Sequence, residues 1–260
     1  MSGSFHIVVD AVIILAASIG IALLMLGIVR RLVPSERLKP HNEVSGFVYA
    51  AIGVIYAVIL GFVVVTVWQD YQEAKAAAHA EANAARDLHR ISNGLSEPSR
   101  AAMHEALVAY AIAVIDGEWP AMLAGDASGV QTNDEIDALW LVVYTMEITT
   151  LQEAELYDAM IEQLIQLINH RRERLEDAGS GLLSVMWAVM IGGALLTVLF
   201  PCLFGVENGI IHSLIIATLA ASIGLLLFVA YALDRPFSGD MYVPPDDMTV
   251  VLDRMLELEH

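Results

Sequence analysis

One side of an uncharged run carries Gly46, Tyr49, Gly53, Tyr56 and Leu60. At about 100° per residue these five fall within an arc of about 80° on a helix. The opposite side carries Val48, Ala51, Ile55, Ile59 and Phe62. Two chemistries fit the stripe. In one it is a packing face: glycines admit a neighbouring helix and tyrosine hydroxyls find hydrogen-bond partners. In the other it lines a pore on an oligomer axis. The hydroxyls then contact passing ions, and Leu60 with Val63 or Val64 forms an apolar constriction.

Glu43 and Asp70 bracket this run. Repeated around a ring of subunits they would form two carboxylate rings, which favour cations. As single residues they are helix-end charges at the headgroups, and Glu43 also suits a helix N-terminus electrostatically. His212 is the one titratable group inside the edge of an apolar run, with Glu207 in the turn before it. His212 is either interfacial or a proton-sensitive gate.

Other chemistry is sparse. His79, His89, His104 and His170 are scattered, and His79 and His89 are ten apart, which does not place two ligands on one helix face. Cys202 is the single cysteine, beside Pro201 in an apolar run, and reads as a small buried residue. No nucleophile–base pattern or nucleotide loop is present. The sequence therefore predicts neither an enzyme nor a bound metal or cofactor.

The elements that would position these residues are four charge-free stretches. Nineteen uncharged residues separate Asp10 from Arg30, and twenty-six separate Glu43 from Asp70. Twenty-nine separate Asp177 from Glu207, and twenty-six separate Glu207 from Asp234. A helix needs about 20 apolar residues to cross a bilayer, and only helices or closed barrels satisfy their backbone there. The expected fold is all-α: a polytopic membrane protein with spans over 7–29, 43–68, 182–204 and 210–233. A helical-bundle domain is inserted between the second and third spans.

The second span has no stop signal at Trp68. Residues 69–91 lack Gly and Pro and are rich in alanine, the best helix former. A single rod over 43–92, about 70 Å long, is predicted, with Asn42 as its N-cap. Ala77, Ala80, Ala84, Leu88 and Ile91 form a narrow stripe for close helix contact. Further helices are expected over 98–116, 133–148 and 151–177. Gly117–Pro120 ends the first of these, 124–131 is a loop, and Thr132/Glu135 and Thr150/Glu153 match capping boxes.

The division by composition is a first pair of spans with a basic loop (1–68), an acidic helical domain (69–181) and a second pair (182–233). A polar tail (234–257) and the remnant of a cloning tag (258–260) follow. Residues 69–181 hold twenty Asp/Glu against seven Lys/Arg, so they carry −13 of the chain's −18. Such a surface does not suit nucleic acid or anionic lipid. Arg30, Arg31, Arg37 and Lys39 follow the first span, while the six-residue N-terminal tail has no Lys or Arg. That bias favours the first loop in the cytoplasm and the acidic domain in the periplasm of a bacterial inner membrane. Arg171, Arg172 and Arg174 argue the other way.

Two segments carry a resemblance. One is Asn42-Glu43-Val44-Ser45-Gly46-Phe47 with Gly53-Val54-Ile55-Tyr56-Ala57-Val58-Ile59-Leu60-Gly61-Phe62, then Trp68, Tyr71 and an Ala/Glu-rich helix. The other is Leu233-Asp234-Arg235-Pro236-Phe237-Ser238-Gly239 after the last span. With the four-span layout they resemble the bacterial bestrophin-like integral membrane family over about 42–243. The resemblance implies kinship with bestrophins: pentameric ion channels, the second span lining the pore, the large helical region in the cytoplasm, and an acidic calcium clasp after the fourth span. This tail's acids, Asp234, Asp240, Asp246 and Asp247, are dispersed. Read locally, Pro236 stops the helix, Phe237 anchors at the interface and Asp234 pairs with Arg235. Read through the resemblance, the segment lies at a channel mouth.

The function expected is a homo-oligomeric channel for small inorganic ions, cation-permeable on account of the acidity, with the second span beside the pore. The alternative is a non-conducting sensor or scaffold whose helical domain binds a ligand or partner protein. The partners implied are the lipid bilayer, further copies of the chain and small ions, not nucleic acid.

Overall fold

The computed structural model describes residues 2–126, 132–148, 150–239 and 241–257, with side chains described from residue 7. Asp240, residues 127–131 of the expected loop and residues 258–260, expected to be a tag remnant, lie outside these residues. Among the described residues all regular structure is helical. The α-helices are α1 (Ser2–Leu32), α2 (Ser35–Leu38), α3 (Asn42–Ser92), α4 (Ser99–Ala113) and α5 (Trp119–Leu123), then α6 (Asn133–Thr145), α7 (Leu151–Ala178), α8 (Ser184–Cys202), α9 (Gly209–Leu233) and α10 (Asp246–Glu257). Five helical segments in the described residues are long and apolar enough to cross a membrane: Ile7–Leu32, Ser35–Ser92, Ser99–Leu123, Ser184–Cys202 and Gly209–Leu233.

The chain forms two compact units. The first comprises 1–69 and 182–234, the second 70–181 and 235–260. Helix α3 contributes its first half to one and its second half to the other.

In the first unit α1 pairs chiefly with α9, and α8 packs against both. The core holds Ala22, Leu26, Tyr56, Leu60, Val63, Met190, Ala194, Val198, Ile216, Ala220 and Ile223. Large apolar side chains also cover the outside, among them Leu24, Phe47, Val54, Phe62, Leu196, Ile210 and Leu214. A unit apolar inside and out is built for lipid rather than water.

In the second unit α4 packs on α6 and α10, and α6 on α7. Small residues of α3 (Ala74, Ala78, Ala82, Ala85) bring backbones close, while Met103, Leu107, Tyr110, Leu139, Met160, Leu164 and Leu167 fill the centre. Helix Ser99–Leu123 buries its apolar face, including Val114, Trp119 and Met122, in this core.

Four expectations are corrected here. Gly117–Pro120 does not end a helix. A π-turn at Val114–Glu118 absorbs the extra residue, and Pro120 sits in the first turn of α5, where its missing N–H costs no hydrogen bond. Thr132 makes no capping box, because its N–H and hydroxyl both donate to Glu118. Asn42 is not a cap but the first residue of α3, and its side chain is engaged elsewhere. The box at Thr150/Glu153 is formed. The tail taken as merely polar contains α10, which buries Met248, Val251 and Met255.

Candidate functional site

The stripe on α3 turns towards α8 of the same chain. Tyr56, Leu60 and Val63 are buried, with 6%, 1% and 3% of their surface exposed. The Tyr56 hydroxyl donates to the Met190 carbonyl at 3.1 Å. Its ring lies over Gly193, where an added Cβ would meet ring carbon at 2.5 Å. Tyr49 stacks on Phe200 (centroids 6.1 Å apart) and meets Phe204 edge-on at 5.9 Å. Gly46 and Gly53 on the same side are partly buried. The packing reading accounts for every one of these contacts. Tyr56, Leu60 and Val63 are thus spent on packing within their own subunit, and Tyr49 keeps part of its surface exposed.

What α3 leaves uncovered is the other face. Phe47, Val54, Val58, Phe62 and Val65 are 75%, 65%, 52%, 70% and 53% exposed. Glu43, also exposed, falls with Phe47, Val54, Val58 and Val65 in an arc of about 60°. Asp70, exposed, is the first residue of the second unit.

A polar node closes one end of the first unit, around the turn between α8 and α9. Asn42 clamps Gly205: its Oδ1 accepts from the Gly205 N–H at 2.9 Å and its Nδ2 donates to the Gly205 carbonyl at 3.4 Å. A Cβ at Gly205 would collide with the backbone of Lys39 and Ser35, so glycine is required there. Lys39 pairs with Glu207, holding that carboxyl below its usual range. Asn208 caps α9 by accepting from the N–H groups of Ile210 and Ile211. Arg30 donates to the Val206 carbonyl at 2.8 Å and to His212 Nδ1 at 3.3 Å. His212 Nε2 sits 3.0 Å from the Pro201 carbonyl. A carbonyl only accepts and a guanidinium only donates, so in these contacts His212 Nε2 is the donor and Nδ1 the acceptor. His212 and Glu207 thus belong to one node, beside a groove of about 600 Å³ lined by Tyr49, Phe204, His212, Thr218 and Ser222.

After α9 the signature segment divides. Asp234 accepts from the Leu182 N–H at 2.6 Å and from Trp187 Nε1 at 3.3 Å, fixing the approach to α8. Its expected partner Arg235 is exposed and belongs to the second unit. Phe237 is no interface anchor. It is 1% exposed and meets Trp119 edge-on at 5.9 Å. Pro236 accepts from the Val243 N–H, whose own carbonyl accepts from Trp119 Nε1. Gly239 donates its N–H to the Arg235 carbonyl.

The second unit holds a charge cluster that sequence spacing did not reveal. Arg174 is fully buried between two carboxylates. Its Nε donates to Glu81 Oε2 at 2.5 Å, and its Nη2 to Glu118 Oε2 at 2.5 Å and Glu81 Oε1 at 3.0 Å. Arg171 donates twice to Glu118 Oε1, and the Tyr110 hydroxyl donates to Glu81 at 2.7 Å. The Arg174 guanidinium lies 4.6 Å from the Trp119 ring centroid. Burial opposes ionisation of Glu118, but Arg174 and Arg171 outweigh it and hold the carboxyl below its usual range. Burial and the neighbouring Glu81 push the Tyr110 hydroxyl well up. Two positive and two negative groups cancel, so the cluster is a neutral structural keystone rather than a reactive centre. The π-turn that aims Glu118 inward is the local cause; no rule of spacing joins residues 93 apart.

A second feature is acidic. Glu73, Glu173, Glu176 and Asp177 line a cavity of about 460 Å³ with His170. Burial, then Glu73 and Asp70, push Asp177 up to about 6.

The fold has solved counterparts. The crystal structure of a bacterial bestrophin homologue from Klebsiella pneumoniae superposes with a TM-score of 0.68 at 16% identity, over 94% of this chain and 97% of that one. Two single-residue variants of a bacterial bestrophin homologue from the same organism give 0.69 at 14% identity (94% and 98% covered) and 0.70 at 12% (95% and 99%). At such identities the likeness shows the fold alone. No curated protein matches the chain. The profile of the Bestrophin-like domain matches residues 16–248, and the chain belongs to the Bestrophin-like family.

Proposed function

We propose that this chain is one subunit of a homo-oligomeric ion channel in a bacterial inner membrane. Its spans are α1, the first half of α3, α8 and α9, and Ser99–Leu123 is a core helix of the extramembrane unit. The uncovered face of α3 lies beside the permeation axis. The observation that carries this is the division of α3: its glycine and tyrosine face is spent on α8, while an apolar face with Glu43 in the same arc is left exposed among the described residues. Stacked around an axis, Phe47, Val54, Val58 and Val65 make an apolar constriction and Glu43 a carboxylate ring, which favours cations. Family membership and the likeness to bacterial bestrophin homologues support the channel reading. The basic residues of the first loop put it in the cytoplasm and the acidic unit outside.

The test is electrophysiological. Purified chain in planar bilayers should conduct, with reversal potentials that favour cations. Glu43→Gln should move them towards zero in asymmetric salt. Reversal potentials unchanged by Glu43→Gln contradict the carboxylate ring, and silent bilayers contradict the channel.

A further inference from the structure

The second unit is strongly acidic, yet one cavity in it is lined by three arginines. Arg86, His89 and Arg90 project from the distal part of α3 at i, i+3 and i+4. Arg254 joins them from α10, and Val251 and Met255 form an apolar floor. The lining, among the described residues, includes no carboxylate. Like charges at i and i+4 repel, and a third guanidinium adds to the cost. Arg171 and Arg174 of this unit are spent on the buried glutamates and Arg100 on Glu97. The arginines of this cavity are not paired in that way. Arg86 has only a long contact with Asp87, at 3.7 Å, and its Nε is buried without a hydrogen-bond partner among the described residues. Arg90 and Arg254 are exposed. His89 is buried and its ring is held in a stack on His104 at 4.2 Å, so the α3 wall is fixed.

We infer that this cavity binds a phosphoryl oxyanion, held by the guanidinium groups of Arg86, Arg90 and Arg254. Planar guanidinium forks match the oxygens of phosphate in pairs, and three of them suit a polyvalent anion better than a single carboxylate. The cavity is about 150 Å³. That is well above what a single water needs and leaves space for a phosphate or pyrophosphate group. The anion is either free in solution, alone or at the end of a larger phosphate ester, or the headgroup of an anionic lipid.

Isothermal titration calorimetry on the detergent-purified full chain tests this with two probes, pyrophosphate and dioctanoyl phosphatidic acid, with dioctanoylglycerol as the uncharged control. Arg90→Gln and Arg254→Gln are on the surface and leave the core intact. Each should weaken binding about tenfold, the size of one lost charge-assisted hydrogen bond. Arg100→Gln should leave it unchanged. Binding of pyrophosphate alone assigns a soluble source. Binding of phosphatidic acid but neither pyrophosphate nor dioctanoylglycerol assigns the lipid source. Both support the proposal. No heat from either probe, or Arg90→Gln and Arg254→Gln variants that bind as tightly as the parent, overturns it.

Discussion

The two units solve the problem of buried polarity in opposite ways. The second gathers Glu81, Glu118, Arg171 and Arg174 into one neutral cluster at its centre and pairs each charge with another side chain. The first keeps side-chain charge at its ends. There Arg30 satisfies a backbone carbonyl of the α8–α9 turn, His212 meets the Pro201 carbonyl at the end of α8, and Asp234 accepts from the Leu182 N–H. The outer surfaces follow the same division. One unit exposes Phe47, Phe62, Ile210 and Leu214; the other exposes acids such as Glu73, Glu105, Asp134, Glu162 and Glu173. A domain that folds in water can hide charge and show charge. A domain that folds in lipid must finish its polar business where helices end.

The largest expected effect comes from breaking the buried cluster. Arg174→Met leaves Glu81 and Glu118 facing each other with only Arg171 to compensate, and should cost about 3–5 kcal/mol. A thermal melt of the detergent-purified protein reads this as a drop in Tm. Arg174→Met combined with Glu81→Gln should recover part of the loss, and no recovery would contradict the pairing.

The matching break in the membrane unit is smaller. Gly193→Ala drives a methyl into the Tyr56 ring and should cost about 1–3 kcal/mol by overpacking. The same change in a Tyr56→Leu background should cost clearly less. Equal losses in both backgrounds would remove Tyr56 from the α3–α8 contact.

Next is Tyr56→Phe, which deletes only the bond to the Met190 carbonyl. The expected cost is about 1 kcal/mol, read by the same melt.

The smallest effect is a pH dependence confined to the acidic unit. Asp177, raised to about 6, binds its proton more tightly folded than unfolded, where an aspartate titrates near about 3.9. The side chain therefore favours folding as pH falls through about 6 towards 4, and opposes it above. Asp177→Asn should raise Tm at pH 7.5 and flatten the change between pH 7.5 and 5. A variant with the parent's pH profile would contradict this.

The apolar helices were legible because lipid imposes length and uniformity that four uncharged stretches display directly. Helix α3 was legible because residues 62–92 contain neither Gly nor Pro. The direction of its stripe was not. Periodicity shows that Tyr49, Tyr56 and Leu60 share a face, but not whether that face meets the chain's own α8 or an axis outside it. Helix α10 was hidden because Met248, Val251 and Met255 stand among acids in a short segment after three prolines. Phe237 read as an interface residue from its position after a span, while its partner Trp119 lies 118 residues earlier. The Arg174 cluster and the cavity of Arg86, Arg90 and Arg254 are tertiary: each joins residues far apart in the chain, where spacing carries no signal.

The central claim is that the uncovered face of α3 meets its counterparts around a common axis. Cryo-electron microscopy of the full chain in lipid nanodiscs tests it most directly. The account predicts a closed ring of subunits with Phe47, Val54, Val58 and Glu43 turned towards a central axis. A monomer, or an oligomer in which that face of α3 meets lipid, would contradict it.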